Sequence, residues 1–264
     1  MIESTPGDAS RARAFDAFAP GEALSPEYAE GDTRDRVLEH LDPISDDLAL
    51  DLGAGAGAMS VALAPYVRRV VALDLSREML RAAGLAARRR GRMAPIGVRG
   101  DAMALPLRDG CIDVLACRHT ARYLGEPARA VHEIARVLRR GGRVVLLDVV
   151  ASGDPEVDSV LEALESLHSP VPVQLHSAAE WREQLMETGL RVDWMDEPLF
   201  ERAEGRSLQD WSARSGLSQA GFEEARELLK RAPEVARRYL RVLVHGDDLQ
   251  LHWPLAIIAA KRVT

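Results

Sequence analysis

Cysteine is scarce in this chain of 264 residues. Of the two that are present, Cys111 precedes one apolar run and Cys117 ends it. No spaced set of cysteines and histidines could hold zinc, so we interpret both as buried, reduced thiols and expect no metal. A net positive charge is also lacking: the net charge of -7 argues against a general nucleic-acid binder. No segment approaches the ~20 apolar residues of a membrane span, and residues 1–16 lack the apolar core of a signal peptide. We therefore expect a soluble, cytoplasmic protein.

What the sequence does contain is a glycine-rich loop directly after an apolar strand. Residues 50–57 read Leu-Asp-Leu-Gly-Ala-Gly-Ala-Gly. A strand that ends at such a loop, with a helix directly behind it, presents backbone N–H groups and a helix N-terminus to a ligand. Glycine suits this loop because a side chain would hold the ligand away from the backbone. The loop at Gly53, Ala54 and Gly55 therefore predicts a site for a nucleotide-like cofactor.

A carboxylate follows at the spacing expected of a ribose-binding residue. Asp74 lies 21 residues after Gly53, at the end of a second apolar run, where it can accept hydrogen bonds from ribose hydroxyls. This spacing does not separate S-adenosylmethionine from a nicotinamide dinucleotide, because Gly53, Gly55 and Ala58 also satisfy the relaxed G-x-G-x-x-[G/A] pattern. Asp51, which precedes the glycines, is a candidate for orienting the loop.

Short apolar runs alternate with stretches of helical spacing between residue 48 and about 149. This alternation predicts a parallel sheet that helices cover on both faces. After residue 150 we predict two helices, a strand, a helical insertion over about 207–240 and a closing strand. The predicted strands are Leu48–Leu52, Val70–Leu73, Ile96–Val98, Ile112–Ala116, Gly142–Val149, a strand near 190–199 and a final strand from Leu249 to Lys261.

Two further predicted strands end in polar residues. Asp101 and Ala102 follow the third strand, where the carboxylate could accept from an adenine amino group and the Ala102 N–H could donate to a ring nitrogen. The fourth strand ends near Arg118 and His119. These residues would open onto the crevice at the carboxyl edge of the sheet, where ligands bind in this class of fold.

These segments together resemble the class I S-adenosylmethionine-dependent methyltransferases. Within that class the chain is similar to the methyltransferase type 11 group, which includes ubiquinone/menaquinone-biosynthesis C-methyltransferases. The resemblance covers nearly the whole chain and is carried by DLGAGAG (51–57), VVALDLSREML (70–80), GDAMALPLRDGCIDVLACR (100–118), EIARVLRRGG (133–142) and HSAAEWREQLMETGL (176–190).

The resemblance implies an α/β fold of Rossmann type. We expect a seven-stranded, mostly parallel sheet whose last strand is antiparallel, with a helical N-terminal lid and a helical insertion. We interpret residues 1–264 as one methyltransferase domain. Its parts are the lid (1–41), a cofactor-binding core (42–150) and a region of substrate-pocket helices and closing strands (151–264).

The resemblance also implies a role for individual residues in binding S-adenosyl-L-methionine. The methionine part would lie beside Gly53, Ala54 and Gly55, and the Arg118 region would close over it. Asp74 would hold the ribose, with Leu75 beside the adenine, while Asp101 and Ala102 would read the adenine edge. Tyr28 belongs to a lid segment that folds over the cofactor in the family, so we predict that it lies near the reactive sulfonium.

The predicted substrate pocket departs from the family. Arg122 and Tyr123 stand where many relatives carry two adjacent histidines, and residues 171–174 replace a Ser-His-Val-Arg segment. The substrate of the relatives is therefore not transferred to this chain. For a phenol, an enol or an acidic carbon, the candidate bases are His119, His168 and His176, with Tyr28 and Tyr123 as orienting groups.

The sequence thus favours transfer of a methyl group from S-adenosylmethionine to a small, hydrophobic organic acceptor. Two alternatives stay open at this point. One is an NAD-dependent oxidoreductase, which the glycine spacing tolerates. The other is a repurposed protein that keeps S-adenosylmethionine without methyl transfer, which the altered pocket positions allow. The acceptor atom and the oligomeric state are not defined by the sequence.

Overall fold

The computed structural model describes residues 6–22, 32–200, 205–215, 217–246 and 248–263. Within them the strands are, in chain order, β1 (Leu48–Leu52), β2 (Arg69–Asp74), β3 (Ile96–Arg99), β4 (Ile112–Arg118), β5 (Leu138–Val149), β6 (Leu190–Phe200), β7 (Arg206–Ser207), β8 (Leu243–His245), β9 (Asp248–Leu251) and β10 (Pro254–Arg262). The helices are α1 (Pro6–Glu22), α2 (Asp32–Leu41), α3 (Ala58–Leu63), α4 (Arg77–Arg89), α5 (Pro127–Val137), α6 (Pro155–His168), α7 (Ala178–Glu187), α8 (Leu208–Arg214), α9 (Gln219–Arg231) and α10 (Glu234–Tyr239).

Seven strands form the main sheet, in the order β3-β2-β1-β4-β5-β10-β6. The pairings from β3 to β5 are parallel, whereas β10 runs antiparallel to both β5 and β6. The predicted seven-stranded, mostly parallel α/β sheet with an antiparallel last strand is therefore confirmed.

The sheet is buried on both faces because its central strands are apolar at nearly every position. Ala49 pairs with Val114, and Leu50 pairs with Leu115. Successive side chains of a strand point to opposite faces, so the first pair belongs to one hydrophobic cluster and the second pair to another. Both faces therefore need a helical cover, as expected of a parallel sheet.

The predicted closing strand, Leu249 to Lys261, is wrong as one element. The structure divides it into β9 and β10, separated by His252 and Trp253. β9 pairs with β7 and β8 in a small three-stranded sheet that the sequence analysis did not predict. The predicted helical insertion over 207–240 consists of α8, α9 and α10.

Local capping explains where the helices next to the sheet begin. The hydroxyl of Ser76 accepts a hydrogen bond from the Met79 N–H at 3.0 Å, which satisfies a donor in the first turn of α4. Pro127 occupies the first turn of α5, where a missing N–H costs nothing. The helices α1 and α2 lie within the region predicted as a helical lid, 1–41.

Candidate functional site

A cavity lies at the carboxyl ends of β1, β2, β3 and β4. Ligands bind at this edge in open α/β sheets because loops and helix N-termini converge there. The structure brings most of the predicted site residues into this one cavity. Those that line it are Asp51, Gly53, Ala54, Gly55, Asp74, Leu75, Asp101, Ala102, Arg118, His119, Arg122, Tyr123 and His168.

Two predicted site residues are not placed in the cavity. His176 is absent from its lining, and its ring packs edge-on against Trp181 with 5.4 Å between ring centroids. It lies between α6 and α7, next to the buried Trp181, and its predicted place in the substrate pocket stays a prediction. Tyr28 lies outside the described residues, so its predicted position near the sulfonium stays a prediction.

The glycine-rich loop is fixed by the strand next to it. The N–H groups of Gly53 and Ala54 donate to the Leu73 carbonyl at 2.8 and 3.0 Å. A Cβ at Gly53 would lie 2.2 Å from the Thr120 side chain, whereas a Cβ at Gly55 would meet no protein atom within 4 Å. Gly53 is thus required by packing within the chain. Gly55 leaves the space that a ligand can occupy.

Asp74 joins the end of β2 to the glycine loop. Its Oδ2 accepts from the Gly55 N–H and its Oδ1 from the Ser76 N–H, both at 2.8 Å. A carboxylate has about four acceptor positions, so two remain for the hydroxyls of a ribose. Burial raises the pKa of Asp74 and outweighs these backbone hydrogen bonds, which lower it.

Asp51 lies beneath the loop as a second buried carboxylate. It is only 2% exposed, and its Oδ2 accepts from the Ser60 hydroxyl at 2.7 Å. Burial raises its pKa to about 6, against the lowering effect of the Ser60 hydrogen bonds. Within the described residues neither Asp51 nor Asp74 forms a salt bridge, so this part of the cavity is rich in negative charge that a cationic ligand would neutralise.

The N-terminal helix α1 lies over the opposite wall of the cavity. Its Asp16 accepts from the Ser76 hydroxyl at 2.6 Å, next to the start of α4. Arg11 lies 3.9 Å from Asp101, and Phe15 packs edge-on against Tyr123. The sequence analysis did not identify these residues. The four-residue spacing of Arg11 and Phe15, which places them on one helix face, was the available signal.

The other end of the cavity is formed by charged groups that are already paired. Arg122 makes a salt bridge to Asp148 at the end of β5 and places its Nε 3.1 Å from the Glu165 carboxylate of α6. Glu165 also contacts His168 and accepts from the Trp253 indole N–H at 2.6 Å. We call these five residues the buried ionic network. Sequence reasoning found Arg122 and His168 but not their three partners.

The electrostatics of this end differ from those of the glycine loop. Burial alone would raise the pKa of Glu165, but Arg122 and His168 lower it to about 2, so Glu165 is ionised. At Asp148 burial outweighs the same arginine and raises the pKa. Burial also raises the pKa of Tyr123 to about 12, which keeps its hydroxyl protonated at neutral pH.

Arg118 and His119 close the cavity from the end of β4. Arg118 donates to the Thr33 hydroxyl of α2 at 3.1 Å, which links the central strand to the N-terminal helices. His119 has a positive φ of 55°, an uncommon conformation for a residue other than glycine. Burial and the neighbouring arginines 118 and 122 hold its pKa well below the usual range, so its imidazole is neutral.

The described residues contain neither a candidate metal site nor a candidate membrane span. No three histidine, cysteine or acidic side chains come together as a metal site in the part of the chain that the structure describes. Among the same residues, no helix is both long enough and apolar enough to cross a membrane.

The sheet order, with the glycine loop and the carboxylates at the ends of β1 and β2, defines a Rossmann-like α/β protein whose main sheet has one antiparallel strand. Residues 50–146 match the family model described as "Methyltransferase domain". The uncharacterized protein YafE of Escherichia coli (strain K12) is 32% identical over 141 residues, which are 53% of this chain and 68% of YafE. The chain belongs to this methyltransferase family.

The uncharacterized methyltransferase YcgJ of Bacillus subtilis (strain 168) is 33% identical over 155 residues. That match covers 59% of this chain and spans 61% of the length of YcgJ. The crystal structure of YcgJ superposes with a TM-score of 0.78 at 24% identity, over 88% of this chain and 98% of that one.

A geranyl diphosphate C-methyltransferase from Streptomyces coelicolor A3(2) was crystallised with Mg²⁺, geranyl diphosphate and S-adenosyl-L-homocysteine. It has a TM-score of 0.65 at 18% identity, over 99% of this chain and 100% of that one. At these identities the two superpositions show that the fold is shared.

Proposed function

We propose that the protein transfers a methyl group from S-adenosyl-L-methionine to a small, hydrophobic organic acceptor. The observation that carries the proposal is the convergence of Gly55, Asp74 and Asp101 on one cavity at the carboxyl edge of the sheet. Membership of the methyltransferase family supports it. We also propose that the lid, the core and the substrate-pocket region act as one domain around this cavity.

The residues present fit the chemical parts of the cofactor. The free acceptor positions of Asp74 suit a ribose diol, and Leu75 and Ala102 offer apolar contacts beside the Asp101 carboxylate for an adenine ring. The open position at Gly55 leaves room for the methionine part. Asp51 supplies negative charge next to that position, which suits a ligand that carries a sulfonium and an ammonium group.

S-adenosylmethionine, when bound, supplies a methyl group that is already activated by its positive sulfur. The chain then has to align the acceptor and exclude water, and alignment alone is worth up to roughly 7–11 kcal/mol in favourable intramolecular reactions. The α1 residues Arg11 and Phe15 suit the second task because they cover the cavity next to Tyr123. Arg118, anchored on Thr33, would hold the wall nearest the glycine loop.

The acceptor that we propose is uncharged and has an aromatic or apolar body. The cation nearest the proposed acceptor end, Arg122, is already bound by Asp148 and Glu165, so it offers little to an anionic acceptor. The surrounding wall is supplied by Phe15, Tyr123 and Leu124. These side chains favour an organic molecule with an aromatic or apolar body.

Calorimetric titration of S-adenosylmethionine, S-adenosylhomocysteine and NAD tests the cofactor. We expect micromolar binding of the first two, weakened by about 1–3 kcal/mol in Asp74→Asn, because one acceptor of the ribose is lost. Asp109→Asn is the matched control, since that carboxylate is exposed and paired with Arg136. Binding of NAD instead, or no binding of any of the three, would overturn the proposal.

Release of S-adenosylhomocysteine separates transfer from mere retention of the cofactor. A methyltransferase releases one S-adenosylhomocysteine for each methylated acceptor molecule. A repurposed protein would bind S-adenosylmethionine with the same dependence on Asp74 and release none in the presence of any acceptor.

A further inference from the structure

His168 and Glu165 form a pair on the last turn of α6. They lie three positions apart in the sequence, which places them on the same face of the helix. His168 Nε2 lies 3.1 Å from Glu165 Oε2, and both side chains are almost fully buried. His168 also lines the cavity, so the pair extends from the protein interior to the space where an acceptor would lie.

The Glu165 carboxylate is held in place by groups from two other parts of the chain. The Trp253 indole N–H donates to Oε1 at 2.6 Å, while Arg122 lies 3.1 Å from Oε2. Because Glu165 is ionised, it can only accept hydrogen bonds. It therefore accepts a hydrogen bond from His168 Nε2, which favours the tautomer that carries its proton on Nε2.

This tautomer leaves Nδ1 of His168 as a hydrogen-bond acceptor. No hydrogen bond to Nδ1 is made within the part of the chain that the structure describes. The ring itself is held edge-on against Trp211, with 5.3 Å between centroids. A histidine oriented by a carboxylate, with its second nitrogen available at a cavity, is the arrangement that proton removal requires.

We propose that His168 is the general base for the methyl acceptor, that Glu165 is its positioning residue, and that the acceptor carries an acidic hydroxyl, as in a phenol or an enol. The inference rests on the proposed methyltransferase function. The acceptor proton moves to Nδ1 of His168 as the acceptor oxygen bonds to the methyl carbon. The carbon–sulfur bond breaks with its electron pair on sulfur. The positive charge thus ends on the imidazole, beside Glu165, and the proton then passes to solvent.

His119 is less suited to this task, although it also lines the cavity. Burial and the arginines at 118 and 122 lower its pKa strongly, which opposes proton uptake. His168 instead has a carboxylate at hydrogen-bond distance, although Arg122 approaches the same carboxylate oxygen. The nearest charged partner of His168 is therefore an anion, whereas that of His119 is a cation.

Two acceptors that differ in acidity test the proposal. We would use 2-naphthol and 2-naphthalenethiol, which have the same ring system, while the thiol ionises at much lower pH and needs little help from a base. His168→Gln should slow methylation of 2-naphthol by about 100-fold or more. It should change methylation of 2-naphthalenethiol by less than about threefold, because the thiolate is already present.

His132→Gln is the control. His132 is an exposed residue of α5 and is absent from the cavity lining. Neither acceptor should be affected by this substitution. Equal slowing of both acceptors in His168→Gln would indicate a structural role and overturn the proposal.

The tautomer of His168 can be measured in the absence of methyl transfer. Imidazole ¹⁵N–¹H NMR of the ligand-free protein should show the His168 proton on Nε2, with the signal assigned through its loss in His168→Gln. Glu165→Gln should redistribute the two tautomers and slow 2-naphthol more than the thiol. A proton on Nδ1 in the wild type would contradict the proposal.

Binding separates this inference from the function on which it rests. If the wild type binds S-adenosylmethionine but methylates neither compound, the acceptor class proposed here is wrong and the cofactor assignment stands. If S-adenosylmethionine does not bind, both proposals fall.

Discussion

The two ends of the cavity give their buried carboxylates different partners. At the glycine loop, Asp51 and Asp74 are held by hydroxyl and backbone donors, and burial raises the pKa of both. In the buried ionic network, Glu165 is held by Arg122 and His168 and its pKa falls to about 2, while burial still raises the pKa of Asp148. Among the described residues the carboxylates at the glycine loop form no salt bridge, although Arg118 lowers the pKa of Asp51, whereas the network contains its own arginine.

The difference indicates which binding partner each end suits. Buried carboxylates without a cation cost folding free energy, and a ligand that supplies positive charge recovers it. A network with internal pairs gains little from a charged ligand, but it holds its side chains in fixed orientations. Under the proposed function, the glycine-loop end contributes affinity for S-adenosylmethionine and the buried ionic network contributes alignment of the acceptor.

The largest expected effect comes from removing the cation of the network. Arg122→Met leaves Asp148 and Glu165 buried without it, and we expect the free energy of unfolding to fall by about 3–5 kcal/mol in urea denaturation. Arg238→Met is the control: this arginine is exposed and paired with Glu234, so its loss should cost less than about 1 kcal/mol. Equal losses of unfolding free energy in the two variants would show that Arg122 does not neutralise the buried carboxylates of the network.

At the cofactor end a substitution should have the opposite sign. Burial raises the Asp51 pKa from 3.8 to about 6, so the folded protein binds this proton more tightly than the unfolded chain. The stability that the proton provides is present below pH 3.8 and is lost as the pH rises through about 6.

Asp51→Asn should therefore raise the free energy of unfolding by about 1–3 kcal/mol at pH 7, and the gain should vanish near pH 4. The measurement is urea denaturation of the ligand-free protein at both pH values, with Asp109→Asn as the exposed control. The same variant should bind S-adenosylmethionine more weakly. Destabilisation by Asp51→Asn at pH 7 would contradict the difference described between the glycine-loop end of the cavity and the buried ionic network.

The pH dependence of binding is the next smaller effect. Protonation of Asp51 below about pH 6 removes the negative charge that suits the sulfonium. The affinity for S-adenosylmethionine should fall by up to about tenfold between pH 7 and pH 5, and that for S-adenosylhomocysteine, which lacks the positive sulfur, should fall less. Parallel calorimetric titrations measure both. Identical pH profiles for the two ligands would show that Asp51 does not sense the sulfonium.

The smallest expected effect concerns the α1 helix. Asp16→Asn weakens the contact with the Ser76 hydroxyl, so we expect S-adenosylmethionine to bind about 0.5–1.5 kcal/mol more weakly and to dissociate faster. Stopped-flow fluorescence measures the dissociation rate. Asp35→Asn is the control, because this exposed carboxylate contacts its neighbour Arg34. An unchanged dissociation rate would show that α1 does not retain the ligand.

The two ends also differ in how far sequence predicts them. The cofactor end was predictable because each residue directly follows or ends its strand, as Gly53 follows β1 and Asp74 ends β2. The acceptor end joins Arg122, Glu165 and Trp253, which are far apart in the chain and share no local motif. Nearness in sequence is no guide here either: His176 is close to His168 in the chain but packs against Trp181 rather than Trp211.

The fold shows the same limit. The long parallel strands were predicted because their apolar runs are nearly continuous. The strands β7, β8 and β9 are two to four residues long and carry no such signal. Gly141 shows a further limit: it lies in the motif at 133–142, but the helix of that motif, α5, ends at Val137. Its positive φ of 75° instead lies at the register shift in the pairing of β4 with β5.

The position of β10 between β5 and β6 has a consequence for synthesis on the ribosome. β6 is translated well before β10, yet it joins the main sheet through β10. Until residue 262 has emerged, the open hydrogen-bonding edge of β5 is available to strands of other nascent chains. The half of the sheet that carries Asp148 therefore closes after translation of β10, and a ribosome stalled before this point would present an aggregation-prone edge.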